Sequence, residues 1–333
     1  MIYIWTYPSI LYMKKLFSLA LASLILISAP FTRAEVNLEL KLATGKITGL
    51  YYPVGSSLCR ILNNGHKNEQ FKCTVETTEG SLENLDLIAD GKNNIGIVQS
   101  ELLYKAVNQL EGLNKPNYSN LRLLLTLYPE SYTLIIREKD ARISKFNDLK
   151  GKKINIGANG SGSRKIFENL IKKYNMKFED FTKVTDHNLY NQGEALCSGE
   201  VDAVFYVVGH PNASVQDLIR LCKIKFISLD DQIINNMTKD VPYLAKTTIK
   251  PGTYEGQDYE VKTIGPYASL VASDKLSENL AYIVTRDIIE HLEIFHNLHP
   301  NFAKITQQEM LSMDKIAKYH KGAKKYFQEK GLE

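Results

Sequence analysis

One tryptophan and four cysteines occur among 333 residues, and neither sign of charge dominates the chain. A formal charge of +4 at pH 7 gives little drive for counterion release from phosphates, so nucleic acid is not an expected partner. The cysteine spacings are far from Cys-x-x-Cys, which argues against zinc and thioredoxin-like chemistry. The one sustained apolar run, Leu16 to Ile27, falls short of the ~20 residues a bilayer crossing needs. Internal repeats and low-complexity segments are missing too. What remains is 44% apolar and 10% aromatic, enough for a sizeable core and roughly two domains.

The amino-terminal stretch alters the charge argument. Met13-Lys14-Lys15 is a short basic start, and Thr32-Arg33-Ala34 closes the apolar run with small residues where a signal peptidase inspects. Residues 1–34 therefore read as a secretory signal peptide, cleaved on export to the periplasm, in preference to a retained anchor. "MIYIWTYPSILY" lies on the wrong side of the lysines, which makes Met13 the expected start. Loss of Lys14, Lys15 and Arg33 lowers the formal charge from +4 to +1. In an oxidising compartment an even number of cysteines suggests disulfides, and four allow three connectivities. Pairing sequence neighbours, Cys59 with Cys73 and Cys197 with Cys222, needs the fewest assumptions; each ring would contribute about 3 kcal/mol in the chain-entropy picture.

Beyond the leader, short apolar runs alternate with amphipathic stretches. "LELKLATG" alternates into a glycine turn, Ser56 to Asn63 has helical spacing, "FKCTVETTEG" alternates again, Leu82 to Ala89 reads as a helix, and "NIGIVQS" as a buried strand. That order implies parallel βαβ units. "LRLLLTLYPESYTLIIRE" adds two strands broken by Tyr128-Pro129-Glu130. A second α/β unit then begins, with a strand at Ile154 to Gly157, a glycine-serine loop and a helix from about Arg164; "DAVFYVVGH" and "IKFISL" are further strands, and helical spacing returns from Glu278. The expectation is an α/β protein of two lobes, residues 35–136 with 268–333 and residues 137–267, with the ligand outside the carboxyl ends of the strands.

Each candidate motif is incomplete. In "LATGKITGL" Lys46 follows Gly45 as in a phosphate loop, but Leu40 stands where the first glycine belongs and Ile47 where a serine or threonine holds magnesium. Asn159 interrupts a dinucleotide fingerprint at Gly157 to Gly162, and "NGSGS" lacks the flanking glycines of a nucleophile elbow. No cofactor is implied. Backbone N–H groups at a helix start, with serine and threonine hydroxyls, still suit a carboxylate, although both loops equally fit ordinary turns with capping serines. His291, His296 and His299 lack metal-ligand spacing. His210 ends a strand at Gly209-His210-Pro211 without a paired nucleophile, which favours ligand contact or scaffolding over catalysis. Tyr51, Tyr52 and Tyr128 offer apolar faces with polar tips, and Gln99 with Ser100 ends the third strand. The "KGAKK" near the end reads as a solvated helix face.

Together "TGKITGLYYPVGSSLCRILN", "VETTEGSLENL", "GIVQS", "TLYPESYTLIIR", "IGANGSGSR", "ALCSGEVDAVFYVVGHPNASVQDL", "TIKPGTYEGQ" and "HKGAKKYFQEKG" resemble the TAXI family, the extracytoplasmic solute-binding proteins of TRAP transporters, once described as immunogenic proteins. The resemblance runs from about Leu40 to the end. It implies a type II periplasmic-binding-protein fold, two α/β lobes joined by a hinge around a ligand cleft. It also implies a small carboxylate ligand such as glutamate, glutamine or 2-oxoglutarate, delivered to TRAP permease membrane subunits by a monomer that is not an enzyme. Carried over by motif, the binding positions are Thr44, Gly45, Thr48, Gly49 and Tyr51, then Gly80 and Ser81, then Gln99 and Ser100, then Tyr128, with Ser161, Gly162, Ser163 and His210 from the other lobe. The resemblance fits the pairings Cys59–Cys73 and Cys197–Cys222. Lys46-Ile47 departs from the family's small residues, so Lys46 either points to solvent or adds a charge contact. Two rival functions share the fold: a ligand-presenting module for a membrane-bound regulator, and an enzyme, which would need a nucleophile that the sequence does not assemble.

Overall fold

A computed structural model describes residues 1, 38–47, 49–66, 71–140, 142–157, 162–187, 191–297, 302, 305–312 and 315–332. The leader residues 2–34, together with Thr48, Ser161 and His299, lie outside them. Strand β1 (Leu38–Ala43) opens the first lobe and is followed by helix α1 (Tyr51–Gly65) and strand β2 (Phe71–Glu76). Helix α2 (Ser81–Ala89), strand β3 (Ile95–Gln99), helix α3 (Ser100–Val107) and strand β4 (Leu121–Pro129) complete its first half. Val54, Leu58, Ile61 and Leu62 recur at helical spacing and form the buried face of α1. Each such side chain stabilises the fold by roughly 1.5–3 kcal/mol when taken out of water. Cys59 on α1 is bonded to Cys73 on β2, a pairing the sequence anticipated, and the Asn63 amide bonds both the N–H and the carbonyl of Cys73 at 2.7 and 3.0 Å.

The second lobe contains strand β5 (Ser131–Arg137), strand β6 (Lys153–Asn155), helix α4 (Gly162–Lys173), strand β7 (Lys183–Thr185), helix α5 (Gln192–Ser198) and strand β8 (Ala203–Val208). Helix α6 (Ala213–Leu221), strand β9 (Ile224–Ile227), helix α7 (Asp231–Asp240) and a ribbon of β10 (Ala245–Ile249) with β11 (Val261–Gly265) follow. Cys197 on α5 pairs with Cys222, which caps α6. Strand β12 (Tyr267–Ser273) returns the chain to the first sheet, and helices α8 (Glu278–Glu290), α9 (Leu292–His296), α10 (Gln307–Met310) and α11 (Lys321–Glu329) follow.

Two five-stranded sheets result, ordered β2-β1-β3-β12-β4 and β7-β6-β8-β5-β9. Both are mixed: β1 runs parallel to β3 and β6 parallel to β8, whereas β12 and β5 run antiparallel to their neighbours. The chain passes between the sheets at Glu130 and at Pro266, and the Glu130 N–H donates to the Pro266 carbonyl at 2.8 Å. Residue 265 must be glycine for these crossings to lie so close, because a Cβ there would sit 1.9 Å from the Glu130 carbonyl oxygen. Glu39–Glu333 form one compact unit by themselves. Among the described residues no helix is long and apolar enough to cross a membrane.

The carboxy-terminal helix shows why the tail reads as amphipathic. Lys321, Lys324 and Lys325 are exposed while Ala323, Tyr326 and Phe327 are buried, so the lysine-rich motif is a solvated face as its spacing predicted. Gly322 lets α11 approach α8, since a Cβ would come within 2.1 Å of the Glu278 carbonyl oxygen. His291 and His296 are held by backbone carbonyls of Asp287 and Ile305, at 2.9 and 2.6 Å.

Candidate functional site

The strand registers place the loops of both lobes at one level. Strand β4 ends at Pro129, opposite Tyr267 of β12, and Ala268 of β12 is opposite Gln99, so the carboxyl end of β3 lies at the crossing, and parallel β1 points the same way, ending with Ala43 opposite Gly96. In the other lobe Ser131 of β5 is opposite Val208 of β8, which brings the carboxyl end of β8 to the same crossing, and parallel β6 points the same way, ending with Asn155 opposite Val204. Loops that follow parallel strands therefore face one another across it, the position at which open α/β sheets take ligands.

In the first lobe a buried asparagine fixes these loops. Asn84 of α2 donates to the carbonyls of Thr44 and Ile97 at 2.6 and 2.7 Å and accepts from the Thr78 hydroxyl at 2.7 Å. Thr44 is wholly committed to the scaffold: its hydroxyl and N–H both donate to the Glu76 carbonyl. Gly45 is buried against Tyr51, and Gly49 closes a turn onto the Lys46 carbonyl at 2.8 Å. Lys46 is exposed and pairs with Glu79 at 2.8 Å. Gly80, with φ of 114°, holds a conformation open to glycine and sets the start of α2. Asn155 serves the second lobe in the same way, bonding Gln192, Thr185 and the His187 carbonyl. Neither asparagine was singled out from the sequence; Asn155 stands between Ile154 and Ile156, which was an available signal, whereas Asn84 follows Glu83 and carried none.

Three predicted residues converge on a fourth that was missed. Ser81 accepts from the Gln99 N–H at 3.0 Å, and its hydroxyl lies 3.3 Å from the Tyr51 hydroxyl. Tyr51 donates to Glu130 Oε2 at 3.3 Å, and the Gln99 side-chain amide donates to the same oxygen at 3.1 Å. Because the single Tyr51 proton goes to Glu130, Ser81 is the donor to Tyr51, and every hydrogen bond in the chain runs toward the carboxylate. Glu130 is only 9% exposed. Burial raises its pKa to about 7 against the two hydrogen bonds that lower it. Burial, then the charge of Glu130, holds the Tyr51 hydroxyl well above its ordinary value.

The remaining predicted residues have other surroundings. Ser100 joins the lobes: its hydroxyl donates to the Tyr243 carbonyl at 3.1 Å and accepts from the Tyr267 N–H at 2.9 Å. Tyr128 is fully buried against Phe302, ring centroids 5.3 Å apart, and its hydroxyl has no partner among the described residues. Gly162 and half-buried Ser163 begin α4 after β6. The hydrogen bonds of the His210 ring go to residues outside the loop cluster. Its ring nitrogens are taken by the Thr133 hydroxyl at 2.7 Å and the Tyr254 hydroxyl at 2.6 Å, and burial lowers its pKa to about 3. It borders a cavity of about 540 Å³ whose walls include Pro129, Ser131, Thr247 and Tyr267 but none of Tyr51, Ser81, Gln99 and Glu130. Both the cavity and the polar convergence lie at strand ends beside the crossing, and the convergence, which gathers Tyr51, Ser81, Gln99 and Glu130 around one carboxylate, is the stronger candidate.

Solved structures share this architecture. A TctC solute binding protein from Polaromonas, solved without ligand, is 13% identical over 87% of this chain and 99% of its own, with a TM-score of 0.54. The periplasmic aliphatic sulphonate binding protein SsuA from Escherichia coli is 14% identical over 88% and 83%, with a TM-score of 0.50. A putative sulfonate ABC transporter's periplasmic binding protein from Methylobacillus flagellatus is 16% identical over 89% and 88%, also at 0.50. At such identities the likeness establishes the fold, that of periplasmic binding proteins with two α/β lobes. A family model matches nearly the whole of both lobes, residues 42–331, and on that match the chain belongs to the NMT1-like family.

Proposed function

We propose that this chain is a periplasmic solute-binding protein of the TAXI type, which captures a small carboxylate such as glutamate, glutamine or 2-oxoglutarate and delivers it to a TRAP permease. The observation that carries the reading is the convergence of Tyr51, Ser81 and Gln99 at strand ends beside Glu130, where the chain crosses between lobes. Membership of the NMT1-like family and the two-lobed fold support it. Thr48, Ser161 and Gly162 complete the proposed contacts, with Gly45, Gly49, Gly80 and Ser163 supplying backbone N–H groups and hydroxyls. Thr44, Ser100, Tyr128 and His210 serve as scaffold around them.

Transport requires a change of state, not chemistry. Ligand contacts from both lobes can be made together only when the lobes close, so ligand shifts the population toward the closed form that a permease recognises. Residues 1–34 act as the export signal, and a mature amino terminus at Glu35 is the corresponding expectation. Calorimetry on protein stripped of endogenous ligand, titrated with glutamate, glutamine, 2-oxoglutarate, a C4 diacid and an alkanesulfonate, tests the ligand class. Binding of the sulfonate alone, or of none, rejects the carboxylate reading.

A further inference from the structure

Glu130 is the acid at the centre of the polar convergence, and its surroundings are incomplete in one respect. Two donors from the first lobe meet on Oε2, and the relay from Gln99 through Ser81 and Tyr51 also ends there. Such an arrangement suits the anionic carboxylate. A buried anion ordinarily has a cation beside it, because desolvation costs several kcal/mol that hydrogen bonds alone offset only in part. Among the described residues no lysine, arginine or histidine pairs with Glu130. Lys46, the cation nearest in sequence to the first loop's ligand positions, turns outward to Glu79. The second carboxylate oxygen, Oε1, accepts no hydrogen bond from the described residues and, unlike the Tyr128 hydroxyl, is not sealed from solvent.

We infer that Glu130 selects for ligands carrying a protonated amine: its free oxygen receives the ammonium group of a zwitterionic amino acid, and a keto acid or a simple diacid is disfavoured at the same point. The inference rests on the small-carboxylate reading and narrows it. An amino acid supplies to Glu130 a positive charge that no described residue provides and presents its carboxylate to backbone donors of the loops. A 2-oxo acid offers only acceptors there, so it meets the carboxylate oxygen with like polarity or must find Glu130 protonated.

Protonation gives the two ligand classes opposite signatures. An ammonium group binds the ionised acid, so amino-acid binding expels the proton that free Glu130 holds below about pH 7. Affinity for it climbs with pH up to that point, by as much as about tenfold per unit, and then levels. A keto acid shows the reverse slope. The groups facing Glu130 are Tyr51 from α1, Ser81 from α2, Gln99 from β3, Tyr128 from β4 and Ser131 from β5, with Gly265 and Pro266 at the second crossing. Both tyrosines are pushed above their ordinary 10.0, so none of these neighbours titrates in the same range.

The test is calorimetry of ligand-free wild type and Glu130→Gln against glutamate, glutamine, 2-oxoglutarate and succinate at several pH values. Expected results are tighter binding of an amino acid than of 2-oxoglutarate, a rising affinity with pH below neutrality, and a loss of roughly ten- to a hundredfold for the amino acid in Glu130→Gln with 2-oxoglutarate held or improved. The wild-type slope needs no variant, so a misfolded Glu130→Gln protein does not remove the test. Equal or tighter binding of 2-oxoglutarate or succinate, or amino-acid affinity that is flat or falling with pH, overturns the assignment of Glu130 and leaves the carboxylate reading standing. Failure of all four ligands overturns both.

Discussion

Replacing Glu130 by glutamine should stabilise the ligand-free protein at alkaline pH. Burial lifts this carboxyl from 4.5 to about 7, so the folded state holds a proton that the unfolded chain releases between those values. Stability from the neutral acid is full below the unfolded value and is lost as pH rises through the folded one. The difference, roughly 2.5 units, corresponds to about 3 kcal/mol. Glutamine keeps the shape and the acceptor oxygen for Gln99 and Tyr51 and has no proton to lose, so the variant should be more stable than wild type by about 3 kcal/mol near pH 8 and similar near pH 4. His210 supplies an opposing slope. Burial lowers its pKa from 6.5 to about 3, so the fold requires it neutral and loses stability as pH falls below the unfolded value. In the wild type the two gradients oppose one another over the weakly acid range. In Glu130→Gln that opposing gradient is gone; buried His320, whose pKa burial also lowers, adds to His210, and stability should climb by at least about 1.4 kcal/mol per pH unit up to roughly 6.5. Urea unfolding followed by circular dichroism, with disulfides intact and ligand removed, reads both effects. A variant no more stable than wild type at alkaline pH would show that Glu130 is not a buried uncompensated acid, and the ligand argument would lose its foundation.

Asn84→Ala should destabilise by about 2–4 kcal/mol, because the Thr44 and Ile97 carbonyls lose a buried donor; the urea midpoint reports it, and a change within error would mean water replaces the amide. Gly80→Ala should cost about 1–3 kcal/mol from backbone strain alone, since a Cβ there meets nothing within 4 Å; an unchanged midpoint would show that the loop relaxes. Serine at both Cys59 and Cys73 should lower unfolding stability by about 3 kcal/mol, and similar denaturation curves before and after the change would count against the pairing. Lys46→Ala should shift stability by at most about 0.5 kcal/mol, as expected for an exposed pair, and leave ligand affinity unchanged; an order-of-magnitude loss in calorimetry would bring Lys46 into the site.

The elements that the sequence revealed share a cause: each is set by side-chain periodicity within about ten residues. The strands and helices from β1 to β3 follow that rule, although α1 begins at Tyr51, ahead of the first clear helical spacing at Ser56. Tyr51, Ser81 and Gln99 were legible as well, because a residue at a strand end or helix start reaches the rim of its sheet whatever the rest of the chain does. His210 obeys the same rule at the end of β8, but the hold on its ring was not legible, since Thr133 and Tyr254, from elsewhere in the sequence, decide which way it faces.

Glu130 was illegible for a different reason. In "TLYPESYTL" it marks only a break between two apolar runs. Its position arises because β4 pairs with β12 in one sheet and β5 with β8 and β9 in the other, a partition fixed by residues 67 to 152 positions away along the chain. At that break its N–H bonds Pro266, its carbonyl lies against Gly265, and its carboxyl is gripped by residues of the first lobe. On the proposed reading, a ligand charge placed on the carboxyl would act where both strands pass between lobes, so the energy of recognition would be applied at the point about which the lobes would close.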